Sequence, residues 1–320
     1  MSKELCGVIL SAGLGKRLRP ITLTTPKPLL PVLDVPLLSI AAEKLSRQGA
    51  ASIHCNAFHL KKQIKRYIES TDLEITLHEE AELLGTGGGI GNMKHDLKGC
   101  REVLLHNGDI VSNIDYEEAI EVHRSRNALM TMILLRSGPP LNVCCSRGGE
   151  VTGIGPENDL TDCEERLGYS GMAVLSPEAL EFFPCGTKAN LVDIMNRMIE
   201  KRRGGIVYYT PPKEREALWI DIGTPRNYLN VHKSIITEKK RFDPLLKPPP
   251  LGIFTDRGAE VDPGARWSGF VSLQRDSRVE RDTFIENCIV MEGAVVKRGS
   301  SYKDSIITRD AVIDTGRSDL

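Results

Sequence analysis

The sequence has no charge bias: 42 Lys and Arg stand against 43 Asp and Glu over 320 residues, a formal net charge of −1. Without a basic field there is no general electrostatic hold on a polyanion, so nucleic acid is not an expected partner. No apolar run approaches the roughly 18–20 residues that span a bilayer, so no membrane partner is expected. The start, Met1-Ser-Lys-Glu-Leu-Cys, lacks an apolar stretch followed by a small-residue cleavage site, which argues against a signal peptide. Eight cysteines are present, but none forms Cys-x-x-Cys or a Cys/His ligand spacing, so a zinc site is not expected. Several sit in apolar runs and read as small core residues, and the pattern points to a reducing cytoplasm. The histidines are dispersed. His106 and His123 have no nucleophile or orienting partner beside them and read as structural.

Two common phosphate loops are also missing. Nowhere does Gly, four residues, then Gly-Lys-Ser/Thr occur, and the third glycine of a dinucleotide fingerprint would fall at Leu18. What stands near the start instead is Val8-Ile-Leu10-Ser-Ala12-Gly13-Leu-Gly15-Lys-Arg17-Leu-Arg-Pro20, then Thr25-Pro-Lys27-Pro-Leu29. Val8 to Leu10 reads as a buried strand running into a small-residue turn. Gly13 and Gly15 lack a Cβ, so the backbone can turn tightly and approach a ligand. Consecutive N–H groups in such a turn form an anion site, and Arg17 and Lys27 add fixed positive charge. The stretch describes a triphosphate cradle.

These two runs, extended through Pro31-Val32, closely resemble the signature of the sugar-1-phosphate nucleotidyltransferases, the NDP-sugar pyrophosphorylases. The resemblance implies that the turn, with Leu10, Ala12, Gly13 and Gly15, wraps the nucleotide. It also implies that Arg17 and Lys27 contact the transferring phosphates. Further along, Leu84-Gly85-Thr86-Gly87-Gly88-Gly89 resembles the family's base- and ribose-binding segment, which implies nucleotide contacts from Gly85, Thr86 and Gly88. Its form is close to that of N-acetylmuramic acid 1-phosphate uridylyltransferases and mannose-1-phosphate guanylyltransferases. Read from residues alone, that segment is a bare backbone surface for a flat base, with a helix beginning near Ile90. Glu80 stands about where some uridylyl enzymes carry a base-reading Gln. It can pair with a base edge or simply face solvent, so the base, UTP or GTP, stays open.

The chain otherwise alternates strand and helix from Leu37 to His78, the rhythm of a parallel sheet covered by helices. The expected class is α/β, a Rossmann-like, mixed and mostly parallel sheet. Arg101 to Ile110 is a strand ending in Asn107-Gly108-Asp109, and Leu129 to Leu135 is a fully apolar, hence central, strand. Trp219-Ile-Asp221-Ile-Gly223-Thr-Pro225 is a second strand that ends in a carboxylate. In the resembled family, the aspartates matching Asp109 and Asp221 bind Mg²⁺, and the residue matching Gly171 lies against the sugar. The usual Glu-Lys-Pro of the sugar region is absent, and Gly155-Pro156-Glu157-Asn158-Asp159 stands there instead.

Prolines 244, 248, 249 and 250 mark a stiff linker at 242–252. The expected division is a catalytic domain over 1–241, the linker, and a tail over 253–320. In the tail, bulky residues recur every six: Val261, Trp267, Leu273, Val279, Ile285 and Met291. Small or β-branched ones follow each by four, with a slip expected near 297–306. This is the hexapeptide repeat of a β-helix, left-handed in the resembled family. Its open edges are expected to support a homo-oligomer.

The function implied is formation of an NDP-sugar and pyrophosphate from an NTP and a sugar 1-phosphate, with Mg²⁺ as cofactor. Arg17, Lys27 and Asp109 are the expected catalytic residues, and cell-envelope polysaccharide synthesis the expected setting. The alternative is a catalytically weak regulatory or scaffold subunit on the same fold. An acyltransferase tail is disfavoured, because the tail has no histidine to act as a base.

Overall fold

Strand Leu5–Leu10 lies inside a nine-stranded sheet, pairing in parallel with Ala50–Ala57 on one side and Glu102–Asn107 on the other. The computed structural model describes residues 4–156, 163–202 and 204–316. Contacts divide the chain into two units. The first runs to Leu14 and takes in Ala41–Ile110 and Ile114–Trp219; the second holds Gly15–Ile40, Val111–Asn113 and the chain from Ile220 onward.

In the first unit the strand order is Val151–Ile154, Val143–Cys145, Glu165–Leu175, Glu102–Asn107, Leu5–Leu10, Ala50–Ala57, Ile75–Glu79. Met130–Leu135 lies between Glu165–Leu175 and Ile206–Tyr209. All six of its residues are buried, as expected of a strand with no polar face. A fully buried Leu, Ile or Met contributes about 1.5–3 kcal/mol, so such a strand anchors its sheet. The pairings are parallel along the strands nearest Leu5–Leu10 and antiparallel around Glu165–Leu175, so the sheet is mixed as anticipated. Helix Gly85–Leu97 covers one face with Ile90, Met93 and Leu97, which join Val8, Val103 and Leu105 in the core.

The cysteines depart from expectation. Cys6 pairs with Cys100 and Cys144 with Cys163, with Cα–Cα separations of 5.8 and 5.2 Å, within disulfide range. The partners lie 94 and 19 residues apart in sequence, so only the fold brings them together. Cys55, Cys145 and Cys288 are buried and unpaired, as small core residues are.

In the second unit, helix Pro225–Ile236 is capped by the Thr224 hydroxyl, which accepts from the Asn227 N–H. Beyond it the tail winds in turns whose strands stack in parallel. Ile253 pairs with Val271, Glu260 with Arg278 and Arg266 with Phe284, each 18 residues on. Parallel ladders therefore recur at three places in each 18-residue interval, an arrangement consistent with a β-helix tail. Left-handed backbone marks the corners: Gly258, Asp276 and Gly293 at one, Gly269, Asn287 and Asp304 at another. Asn287 holds its corner by donating to Asp304, 2.9 Å away.

The interval shortens to 17 residues earlier than the sequence suggested. Ser268 pairs with Glu286, but Val271 pairs with Cys288. Val295, in the small or β-branched column of the six-residue count, is exposed, while Val296 is buried. The 242–252 stretch also differs from a solvated spacer, because Phe242, Asp243 and Leu246 are buried. At the far end the chain doubles back, and Val312–Asp314 pairs antiparallel with Ser305–Ile307.

Candidate active site

Each unit carries its own set of the expected site residues. In the first, the turn after Leu10 is tied down by Asn56, whose side-chain oxygen accepts the Ser11 N–H at 2.8 Å. Ala12 is buried, whereas Gly13 is exposed and a Cβ there would meet nothing within 4 Å. Protein packing thus makes no demand for glycine at 13, which leaves its bare backbone open to a ligand.

Asn56 also donates to Glu80 Oε1 at 2.7 Å, and Glu80 Oε2 accepts the Leu84 N–H at 3.0 Å. Glu80 is only 1% exposed. Neither sequence alternative fits this placement. The carboxylate is not solvated, and both of its oxygens are engaged in fastening the turn that precedes helix Gly85–Leu97.

That helix begins at Gly85, five residues before the expected start. Gly85 and Thr86 remain at the surface, but Gly87, Gly88, Gly89 and Gly91 are buried. A Cβ on Gly88 would strike the Thr187 carbonyl, and one on Gly91 the Pro184 carbonyl. The Ala189 carbonyl accepts the N–H groups of both Gly87 and Gly88. The glycines therefore admit residues 184–190 rather than presenting a bare surface to a base. The Thr86 hydroxyl accepts the Leu191 N–H at 3.1 Å, linking the two segments.

Asp109 follows strand Glu102–Asn107 in a turn and is half-buried. The turn is drawn in by the Gly108 N–H, which donates to the Leu10 carbonyl at 2.9 Å. Gly171 sits at an irregularity of strand Glu165–Leu175 with φ +80°, and a Cβ there would lie 2.8 Å from the Asn107 side chain. Backbone and neighbour both require glycine, whether or not a sugar comes near. Trp219 steadies this segment by donating from its ring N–H to the Ser170 carbonyl at 2.8 Å.

In the second unit, Gly15 adopts φ +60° and a Cβ there would meet Thr22 at 2.7 Å. The Thr22 hydroxyl donates to the Gly15 carbonyl, fixing the loop that carries Arg17. Asp221 lies between two cations, 3.6 Å from Arg17 Nη2 and 3.8 Å from Lys27 Nζ. The Lys27 side chain is 13% exposed and held in place, while that of Arg17 is 66% exposed and can reach outward. Asn227, in the first turn of that helix, donates from its side chain to the Asp221 main-chain carbonyl at 2.8 Å and so fixes the backbone there. Asp109 in the first unit and Asp221 in the second each carry a carboxylate, the hard oxygen donor that Mg²⁺ takes alongside substrate phosphates.

The two histidines first considered are internal. His106 is buried with Nδ1 2.8 Å from the Asn107 carbonyl oxygen, and His123 Nδ1 lies 2.9 Å from the Thr131 hydroxyl. Burial pushes the His123 pKa down to about 4.

Residues 6–142 match the family model described as nucleotidyl transferase. The match covers less than half of the chain. Among curated relatives, an N-acetylmuramate alpha-1-phosphate uridylyltransferase of Neisseria meningitidis is 28% identical over 233 residues, covering 68% of this chain and 92% of its own. A mannose-1-phosphate guanylyltransferase of Mycobacterium tuberculosis is 25% identical over 84% of this chain and 79% of its own. A UTP–glucose-1-phosphate uridylyltransferase of Synechocystis is also 25% identical, but the chain spans only 63% of its length. Among solved structures, HddC of Yersinia pseudotuberculosis, seen with GMP-PN, superposes with TM-score 0.58 at 22% identity over 72% of this chain and 99% of that one. A Bacillus anthracis protein described as a glucose-1-phosphate thymidylyltransferase gives TM-score 0.60 at 19% identity, over 71% and 94%. These two likenesses show a shared fold.

Sequence reasoning missed Gly223 and Asn227 among the residues around Asp221. A Cβ on Gly223 would lie 2.6 Å from Arg17 Nη2 and 2.7 Å from Asp221 Oδ2. The only sequence signal was the position of both residues just after Asp221, at the start of a helix.

Proposed function

We propose that this chain joins an NTP to a sugar 1-phosphate, releasing pyrophosphate and forming an NDP-sugar. The observation that carries the reading is Asp221 set between Arg17 and Lys27, within a chain whose residues 6–142 match the nucleotidyl transferase family. The sugar phosphate is already anionic at neutral pH, so its oxygen attacks the α-phosphorus without a general base. Charge in such a transition state spreads over phosphoryl oxygens, and catalysis is positioning plus electrostatic stabilisation. Lys27, held in place, is suited to bridge the α-phosphate and the incoming sugar phosphate. Arg17, with its free reach and forked donors, is suited to the leaving pyrophosphate. Asp109 and Asp221 are the carboxylates for Mg²⁺, which when bound neutralises phosphate charge. Gly13, with Leu10 and Ala12 before it and Gly15 after it, offers backbone to the nucleotide, and Gly85 and Thr86 remain at the surface to join it.

UTP and GTP are the nucleotides favoured by the named relatives, whose substrates include N-acetylmuramate, mannose and glucose 1-phosphates. A coupled pyrophosphate-release screen of NTPs against a panel of sugar 1-phosphates tests the reading. Release with one pair or a few related pairs is expected, and release with none would overturn it.

Assembly through the tail belongs to the same proposal. Val261 and Trp267, in the first turn, are 37% and 38% exposed, although the residues stacked on them, Val279 and Ile285, are buried. A second copy covering that first turn would bury them. Light scattering should give a smaller mass for Trp267→Glu at unchanged turnover; an unchanged mass would exclude this contact.

A further inference from the structure

A cluster in the first unit is unused by this chemistry. His54 on strand Ala50–Ala57, His78 on strand Ile75–Glu79 and Asp96 on helix Gly85–Leu97 bring their donor atoms within 4.8 Å of one another. His54 pairs in register with Thr76, which places His78, two residues on, beside it on the same sheet face. His54 also stands opposite Val8, on the face that Ile90, Met93 and Leu97 of the helix cover.

We propose that His54 Nδ1, His78 Nε2 and an Asp96 carboxylate oxygen form a binding site for a divalent transition ion of the Zn²⁺ type. The two nitrogens are 3.1 Å apart, and Asp96 Oδ2 is 3.7 Å from His78 Nε2. Two Zn–N bonds of about 2.0–2.1 Å put their nitrogens roughly 2.9 Å apart at a right angle and 3.4 Å apart at the tetrahedral angle. The observed spacing falls between those limits. Asp96 is too far from His78 for a hydrogen bond, yet it completes a nitrogen–nitrogen–oxygen set suited to zinc.

The surroundings agree. His54 Nε2 lies 3.3 Å from the Ser52 hydroxyl, which can accept its proton and so leave the Nδ1 lone pair facing the cluster. Burial holds the pKa of both imidazoles below the ordinary value, with His78 lowering His54 further and Asp96 opposing in each case. Asp96 is exposed and leaves a path and an open position for water. It lies in the last turn of its helix, where the dipole favours a cation. The ion would clamp that helix to two strands, immediately before Glu79 and Glu80.

The test uses the full chain, stripped with chelator and titrated with Co²⁺ and then Zn²⁺, without reference to turnover. One equivalent of Co²⁺ is expected to give the intense visible bands of a low-coordinate nitrogen–oxygen site, and Zn²⁺ to displace it and raise the melting temperature. His78→Gln should abolish both effects. Asp96→Asn, at an exposed position, should weaken Zn²⁺ binding by at least the roughly 10–100-fold seen when supporting residues are lost. Absence of the bands, thiolate charge-transfer absorption, or Zn²⁺ stabilisation retained in both variants would overturn the site and leave a histidine–histidine hydrogen bond.

Discussion

Arg17 approaches Asp221 to 3.6 Å over a position, Gly223, that has no side chain. The pair exists only because that space is left clear. Gly223→Ala should therefore push the guanidinium or the carboxylate aside while leaving the fold intact. A displacement of about 1 Å in catalytic groups costs up to roughly a hundredfold. A ten- to hundredfold loss of turnover with an unchanged circular dichroism spectrum is expected, and full activity would show that the pair is not used.

Asp221→Asn and Asp109→Asn should each lower turnover by at least two orders of magnitude. Loss of a charge-stabilising contact in a transition state costs about 3–4 kcal/mol. Raising Mg²⁺ should recover part of the loss if the carboxylates serve that ion. Near-normal rates in both folded variants would remove them from the mechanism.

Glu80→Gln separates a structural role from a base-reading one. Asn56 and Leu84 both donate to this carboxylate, so an amide must turn its own N–H toward one of them. Leaving a buried polar group unsatisfied costs roughly 1–3 kcal/mol. The melting temperature should fall, with no change in which NTP is preferred. A switch of nucleotide preference at constant stability would return Glu80 to the base.

Stability should fall on mild acidification. Burial pushes His123 down to about 4 and His232 down to about 3, from an ordinary value of 6.5. Between these values the unfolded chain takes up protons that the folded chain refuses, so stability is complete above about pH 6.5 and declines below it. For His123 the decline runs to about pH 4 and for His232 to about pH 3. Urea midpoints measured across this window should fall less steeply for His123→Gln. An equal slope would mean that another group is responsible.

The turns that carry the candidate residues were readable because their signals are local. Strands that end in Asp109 and Asp221, and a glycine turn followed by Arg17, need only a few neighbouring residues to be recognised. The run from Gly85 to Gly89 was left outside the helix, as a bare surface for a base, because glycine is a poor helix former. Its glycines answer instead to residues 184–190, a hundred positions away, which no local pattern reports. Glu80 was ambiguous for the same reason, since one of its fasteners, Asn56, lies on a different strand. The division at 242–252 followed proline content, but contacts cross it. Gln274 of the tail donates to the Tyr228 hydroxyl, and Ser272 meets His232 at 3.0 Å. Truncation near Pro248 would strip those partners from helix Pro225–Ile236, so point substitutions in the tail are the cleaner probe.

The antiparallel return of Val312–Asp314 along Ser305–Ile307 bears on growth. A stack of parallel turns is a template for further parallel strands, and copies placed end to end would lengthen it into a filament. On one of three faces the last turn is already paired with a strand running the opposite way. A second strand continuing the stack along that face would have to displace this ladder. The returning strand thus covers that edge of the last described turn.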